Sequence, residues 1–251
     1  MRFPNNSIIA CVGSLLVGLS TQAAFSLEAN FSETASNGLE ISGELSLTQL
    51  QNRARAITVK VIAGQGWGSG ILIRKQGENY TVLTNAHVIR IAHRYRIQTP
   101  DGKIYSAQQI TTRFQDDDLA LLNFRSANNY AIARTTSSSI AVGDQTFAAG
   151  FPDDGQGFAF TIGKVDYVLP QPFRDGYQLG YSNDIRKGMS GGPVLNNRGE
   201  LIAVNGKHKH PLWGNSYIFK DGSTPVLTIR QQLENSSWAV PIQTFLRLAP
   251  Q

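Results

Sequence analysis

What most restricts the fold of this chain is a succession of short, β-branched, partly alternating segments, set apart by glycine-rich turns and never by a long amphipathic helix. Residues 56–62, 69–74 and 80–84 open the series; 95–98, 103–110, 119–124, 145–151, 158–168, 177–181, 201–204, 217–219 and 237–241 continue it. Alternation with period two turns one face of each segment to a core. Many such strands without helical crossovers predict an all-β architecture of antiparallel barrels or a sandwich. Only 242–248, after Pro241, reads as plainly helical, and no repeat of fixed period stands out.

The 251 residues, 41% hydrophobic and 16% charged with 24 glycines, suffice for one large or two small folded domains. The net charge of +5 is spread without a basic run, so nucleic-acid binding has no support. Residues 1–26 read as a secretory signal peptide: Arg2, an apolar stretch over 8–19, then Ser20, Thr21, Ala23, Ala24 and Ser26. That stretch is short for a membrane span, so no stable membrane insertion is expected after cleavage between Ala23 and Leu27. The single cysteine, Cys11, lies inside it with most of the apolar run behind it, unlike a lipoprotein site. An exported chain without cysteine relies on its core alone, which suits a periplasmic or extracellular bacterial protein. Residues 27–50, rich in Ser, Glu, Asn and Gly, read as a mobile arm. The strand series then divides at 51–135 and 136–251.

Within the second half, Gly188-Met189-Ser190-Gly191-Gly192-Pro193-Val194 resists explanation as packing, because its glycines weaken regular structure and fill no core. Bare backbone there lets the chain turn sharply, presents the Ser190 hydroxyl, and frees the Gly188 and Ser190 amides to face developing negative charge. A serine hydroxyl is a weak nucleophile near neutral pH and needs a base, and the base needs an orienting group. His87 stands where the apolar strand 80–84 ends in small residues, with room for an imidazole in a cleft. Asp118 opens Asp118-Leu119-Ala120-Leu121-Leu122, placed to sit buried beneath an imidazole. Asp116 and Asp117 read as a solvated loop edge, since three adjacent like charges are not buried together.

Together these residues resemble the trypsin/chymotrypsin-like serine proteases. The resemblance is carried by Gly68-Ser69-Gly70-Ile71, Thr84-Asn85-Ala86-His87-Val88, Asp118-Leu119-Ala120-Leu121-Leu122, Gly188-Met189-Ser190-Gly191-Gly192-Pro193 and Gly199-Glu200-Leu201-Ile202-Ala203-Val204, in the family's chain order. Spacing and lack of cysteine look closest to the bacterial Deg-type and glutamyl-endopeptidase-type branches. The resemblance implies two six-stranded antiparallel β-barrels with a short C-terminal helix, His87 as general base then acid, Asp118 as its orienting anion, Ser190 as acylated nucleophile, and the Gly188 and Ser190 amides as oxyanion hole. Met189 stands where the pancreatic branch has an aspartate that pairs with a new N-terminus, so latency would come from the 27–50 arm or from export. The chain is expected to end without the peptide-binding domain that Deg-type enzymes carry.

An α/β-hydrolase elbow also matches Gly188-x-Ser190-x-Gly192, but its acid and histidine must follow the serine at distances Glu200, His208 and His210 do not offer. By the resemblance, Asp184 falls at the floor of the specificity pocket and would select Lys or Arg. Asn205, Gly206, Lys207 and His208 would edge the substrate backbone, and the cluster 207–210 would instead favour acidic side chains or be a solvated basic loop. His208-x-His210 lacks a third ligand and Asp153-Asp154-Gly155 lacks a calcium loop's alternating acids, so neither metal nor cofactor is implied. The expected partners are protein or peptide substrates, and the alternative is an inactive peptide-binding module on the same fold.

Overall fold

Strand pairing in the computed structural model, which describes residues 43–90, 92–111, 114–209 and 217–249, closes two antiparallel barrels. A helix, α1 (Leu47–Ile57), leads into β1 (Thr58–Ala63), β2 (Gly66–Gln76), β3 (Asn79–Thr84), the single turn α2 (Ala86–Ile89), β4 (Tyr95–Gln98), β5 (Ile104–Ile110) and β6 (Ala120–Arg125). The second barrel holds β7 (Gln145–Gly150), β8 (Ala159–Val168), β9 (Leu179–Tyr181), β10 (Pro193–Leu195), β11 (Leu201–Lys207) and β12 (Ser237–Pro241), with α3 (Leu227–Leu233) before β12 and α4 (Ile242–Leu248) after it. The orders β1-β2-β3-β6-β5-β4 and β7-β8-β9-β12-β11-β10 are one topology used twice. Closure by β1 with β4 and by β7 with β10 leaves neither sheet an open edge.

Period two explains the cores. Leu72, Val82 and Leu122 point into the first barrel, whereas their neighbours Ile71, Leu83 and Leu121 point outward into the apolar layer shared with Phe147, Leu195, Leu201 and Val240 of the second. Strands apolar on both faces read as near-continuous hydrophobic runs, which is why their alternation in the sequence is only partial. The layer between the barrels fixes one against the other, and so fixes whatever side chains meet at their junction.

Three sequence expectations change. Of the arm expected over 27–50, residues 47–50 belong to α1, whose Leu50, Ala54 and Ile57 are buried in the shared layer. Its start is a capping box in which Ser46 and Gln49 each satisfy the other's backbone amide. Residues 217–219 form no strand; Phe219 makes one isolated bridge to Phe173. Helices besides α4 are present, although the fold remains mostly strand. Residues 1–42, with the expected signal peptide and most of the arm, lie outside the described residues, as does His210. Among the described residues no helix is long and apolar enough to cross a membrane.

Candidate active site

The register of β3 against β6 sets Thr84 opposite Ala120, so the residues just past β3 and just before β6 share one end of the first barrel. His87 stands in α2, and the Asn85 side chain at the start of that turn donates to the Asp118 carbonyl at 2.7 Å. The Asp118 carboxylate then accepts from His87 twice, from its backbone amide at 2.9 Å and across 2.6 Å to Nδ1. With side-chain exposures of 39% for His87 and 12% for Asp118, the acid lies beneath the ring. Burial alone would push the Asp118 carboxyl up, but the hydrogen bond and charge of His87 and the Tyr177 hydroxyl outweigh it and hold the group below its ordinary value. An ionised acceptor at Nδ1 places the proton there and leaves Nε2 as the basic nitrogen.

Ser190 sits in a turn before β10 whose backbone only glycine accepts. Gly188 and Gly191 have φ of 92° and 86°. A Cβ at the first would stand 2.5 Å from the Phe151 carbonyl oxygen, and one at the second 2.2 Å from that of Ser69. Ser69, on β2 of the other barrel, clamps this turn: its amide donates to the Ser190 carbonyl at 2.7 Å and its buried hydroxyl donates to that of Gly188 at 2.8 Å. The Lys187 carbonyl accepts from the Asp153 amide at 2.9 Å, and the Met189 carbonyl from Asn205 Nδ2 at 2.8 Å. In a trans peptide the N–H points opposite to the C=O, so these contacts turn the Gly188 and Ser190 N–H groups away from the loop at 151–155 and from Asn205. Among the described residues, neither amide donates to another group. Met189 itself is fully buried in the second barrel, an apolar anchor in place of a charged one.

A cleft of about 640 Å³ is lined by His87, Asp118, Ser190, Gly206, Lys207 and His208, among others. The Ser190 hydroxyl donates to the Gly206 carbonyl at 3.0 Å, a hydrogen bond its single proton must leave to engage the imidazole. Of the candidate substrate-binding residues, Gly206, Lys207 and His208 border the cleft; Asn205 and Asp184 do not. Asn205 is fully buried, its amide group spent on Met189 and on the Tyr181 hydroxyl. Asp184 is exposed, unlike a pocket-floor acid. Asp116 is exposed as expected, whereas Asp117 is buried, paired at 2.5 Å with Lys220, whose charge compensates its burial. Sequence reasoning passed over Tyr177, whose hydroxyl donates to Asp118 Oδ2 from 59 positions away, a distance at which no local pattern signals the contact.

The family described as a trypsin-like peptidase domain matches residues 68–204. The periplasmic pH-dependent serine endoprotease DegQ of Escherichia coli (strain K12) is 36% identical over 178 residues, which cover 67% of this chain and 37% of that protein. The periplasmic serine endoprotease DegP of the same organism is 32% identical over 152 residues, covering 59% and 31%. The chain thus spans about a third of the length of the curated relatives it matches. The serine endoprotease from Yersinia pestis, a crystal structure, superposes with a TM-score of 0.60 at 24% identity over 81% of this chain and 65% of that one, a likeness of fold.

Proposed function

Because the chain belongs to the trypsin-like peptidase family, we propose that it is an exported serine endopeptidase that cuts protein or peptide substrates through His87, Asp118 and Ser190. The observation that carries this reading is the doubly hydrogen-bonded Asp118–His87 pair on the same cleft as a serine flanked by two uncommitted amides. Ser190 Oγ adds to the scissile carbonyl carbon while its proton passes to His87 Nε2, and Asp118 stabilises the imidazolium. The carbonyl oxygen, now an oxyanion, is received by the Gly188 and Ser190 N–H groups. The imidazolium gives its proton to the amine as the C–N bond breaks, leaving an acyl-enzyme. One water, deprotonated by the same imidazole, releases the acid and restores the serine. The reading carries no preference for Lys or Arg, since Asp184 is exposed and outside the cleft lining. Export is supported by the apolar stretch over 8–19 and by the periplasmic names of the relatives, and it places the enzyme in the periplasm or outside the cell.

A fluorophosphonate probe tests this directly. The folded chain should label at one site per molecule, and Ser190→Ala should not label. Failure of the unmutated, folded chain to label would replace turnover with peptide binding alone.

A further inference from the structure

Among the described residues three donors reach the Asp118 carboxylate, and two of them belong to His87, the residue it orients. Those two move with His87 and cannot fix the pair in space. The third is independent. Tyr177, just ahead of β9 in the second barrel, sends its hydroxyl to Asp118 Oδ2. Its backbone is tied by the Phe173 amide, which donates to the Tyr177 carbonyl at 2.9 Å, and the ring is fully buried beneath the Lys207 ammonium at 4.5 Å. The same segment takes the Asp118 amide on the Asp175 carbonyl at 2.8 Å, so Asp118 is gripped by main chain and side chain together.

The space this ring occupies is set by one residue. A Cβ at Gly206 would stand 2.2 Å from Tyr177 Cε1 and 2.4 Å from its hydroxyl oxygen, distances no real contact reaches. Gly206 is also where the Ser190 hydroxyl rests, on its carbonyl oxygen at 3.0 Å. We propose that Tyr177 is a positioning residue for the reaction, reaching across the barrel junction to lock the Asp118 carboxylate against His87, and that Gly206 is glycine in order to admit it. The proposal rests on the triad reading above. Burial, and then the Asp118 charge, push the Tyr177 hydroxyl well above its ordinary range, so it stays a donor at any working pH.

Tyr177→Phe removes the hydroxyl and keeps the ring. With the anchor gone, kcat should fall about tenfold to a hundredfold, the range for a lost hydrogen bond to a buried charge, at unchanged KM. Gly206→Ala should cause a comparable fall, because the methyl group evicts the hydroxyl. Rescue separates positioning from packing. In a Tyr177→Leu background, which ends short of the ring edge, Gly206→Ser places a hydroxyl where the lost one stood and should regain kcat, whereas Gly206→Ala should not. Asp118→Asn is the parallel control. If it leaves kcat intact, the triad reading fails; if it abolishes kcat while Tyr177→Phe matches the unmutated enzyme, the triad stands and the role of Tyr177 is overturned. Equal recovery by serine and alanine at 206 would likewise reduce Tyr177 to packing.

Discussion

Asn205→Asp is the most incisive perturbation of the turn that carries the proposed oxyanion hole, because it keeps size and shape while removing one hydrogen-bond donor. Asn205 is fully buried, with Nδ2 donating to the Met189 carbonyl at 2.8 Å and Oδ1 accepting from the Tyr181 hydroxyl, which burial holds protonated. A carboxylate still accepts from Tyr181 but sets a second acceptor against the Met189 oxygen. Two oxygens cannot face each other there without a proton, so the 189–190 peptide must rotate and carry the Ser190 N–H out of the hole. Loss of one such donor costs about 10²–10³ in kcat. The same change leaves the introduced carboxylate oxygen buried without a donor, while the Met189 carbonyl keeps the Gly192 amide at 3.1 Å; at about 1–3 kcal/mol for such a group and about 2–4 °C per kcal/mol for a chain of this size the melting temperature should fall by under about 12 °C. Desolvation raises the pKa of the introduced carboxyl, and its protonated form can donate to Met189 again. The ratio of variant to unmutated kcat should therefore climb as pH is lowered from about 8 towards about 5.5, across the range in which a buried carboxyl titrates. The assay is steady-state hydrolysis of a peptide substrate at several pH values, with calorimetry on the same samples. A kcat within about threefold of the unmutated enzyme at the high-pH end, far less than a lost oxyanion donor costs, would show that Asn205 does not orient the Ser190 amide.

Two further outcomes follow from the same geometry. Asp118 is held below its ordinary value of 3.8, so its contribution to stability is present in full above that pH and is lost as pH falls through the folded-state value; the melting-temperature gap between the unmutated chain and Asp118→Asn should narrow below that point, and a gap independent of pH would refute the assignment. Asp184→Ser should leave the cleavage preference of a peptide library unchanged, because Asp184 is exposed and off the cleft; loss of cleavage after Lys and Arg would put it back in the pocket.

These perturbations divide along the line between what local pattern encodes and what only assembly creates. The barrels were legible because most strands announce themselves by partly alternating apolar spacing and a bounding turn, signals contained within about ten residues, whereas the three-residue β10 behind the Ser190 turn carries no such pattern. The Ser190 turn was legible because positive φ at Gly188 and Gly191 demands glycine whatever surrounds it. α1 carried a readable start in Ser46 and Gln49 but sat beside a strand-like run at 56–62, and its boundary was lost to that stronger pattern. Asp117 is different in kind: its burial depends on Lys220, more than a hundred positions away, and charge counting along the chain argues for the opposite. Asn205 and Tyr177 belong with it, since what each does is decided by the partner its polar group meets, Met189 for one and Asp118 on the other barrel for the second. Gly206 joins the two classes. In sequence it is one more glycine before a basic cluster, yet the atom it lacks is the one that would collide with Tyr177. The contact that Tyr177 of the second barrel makes with Asp118 therefore depends partly on a side chain absent at position 206.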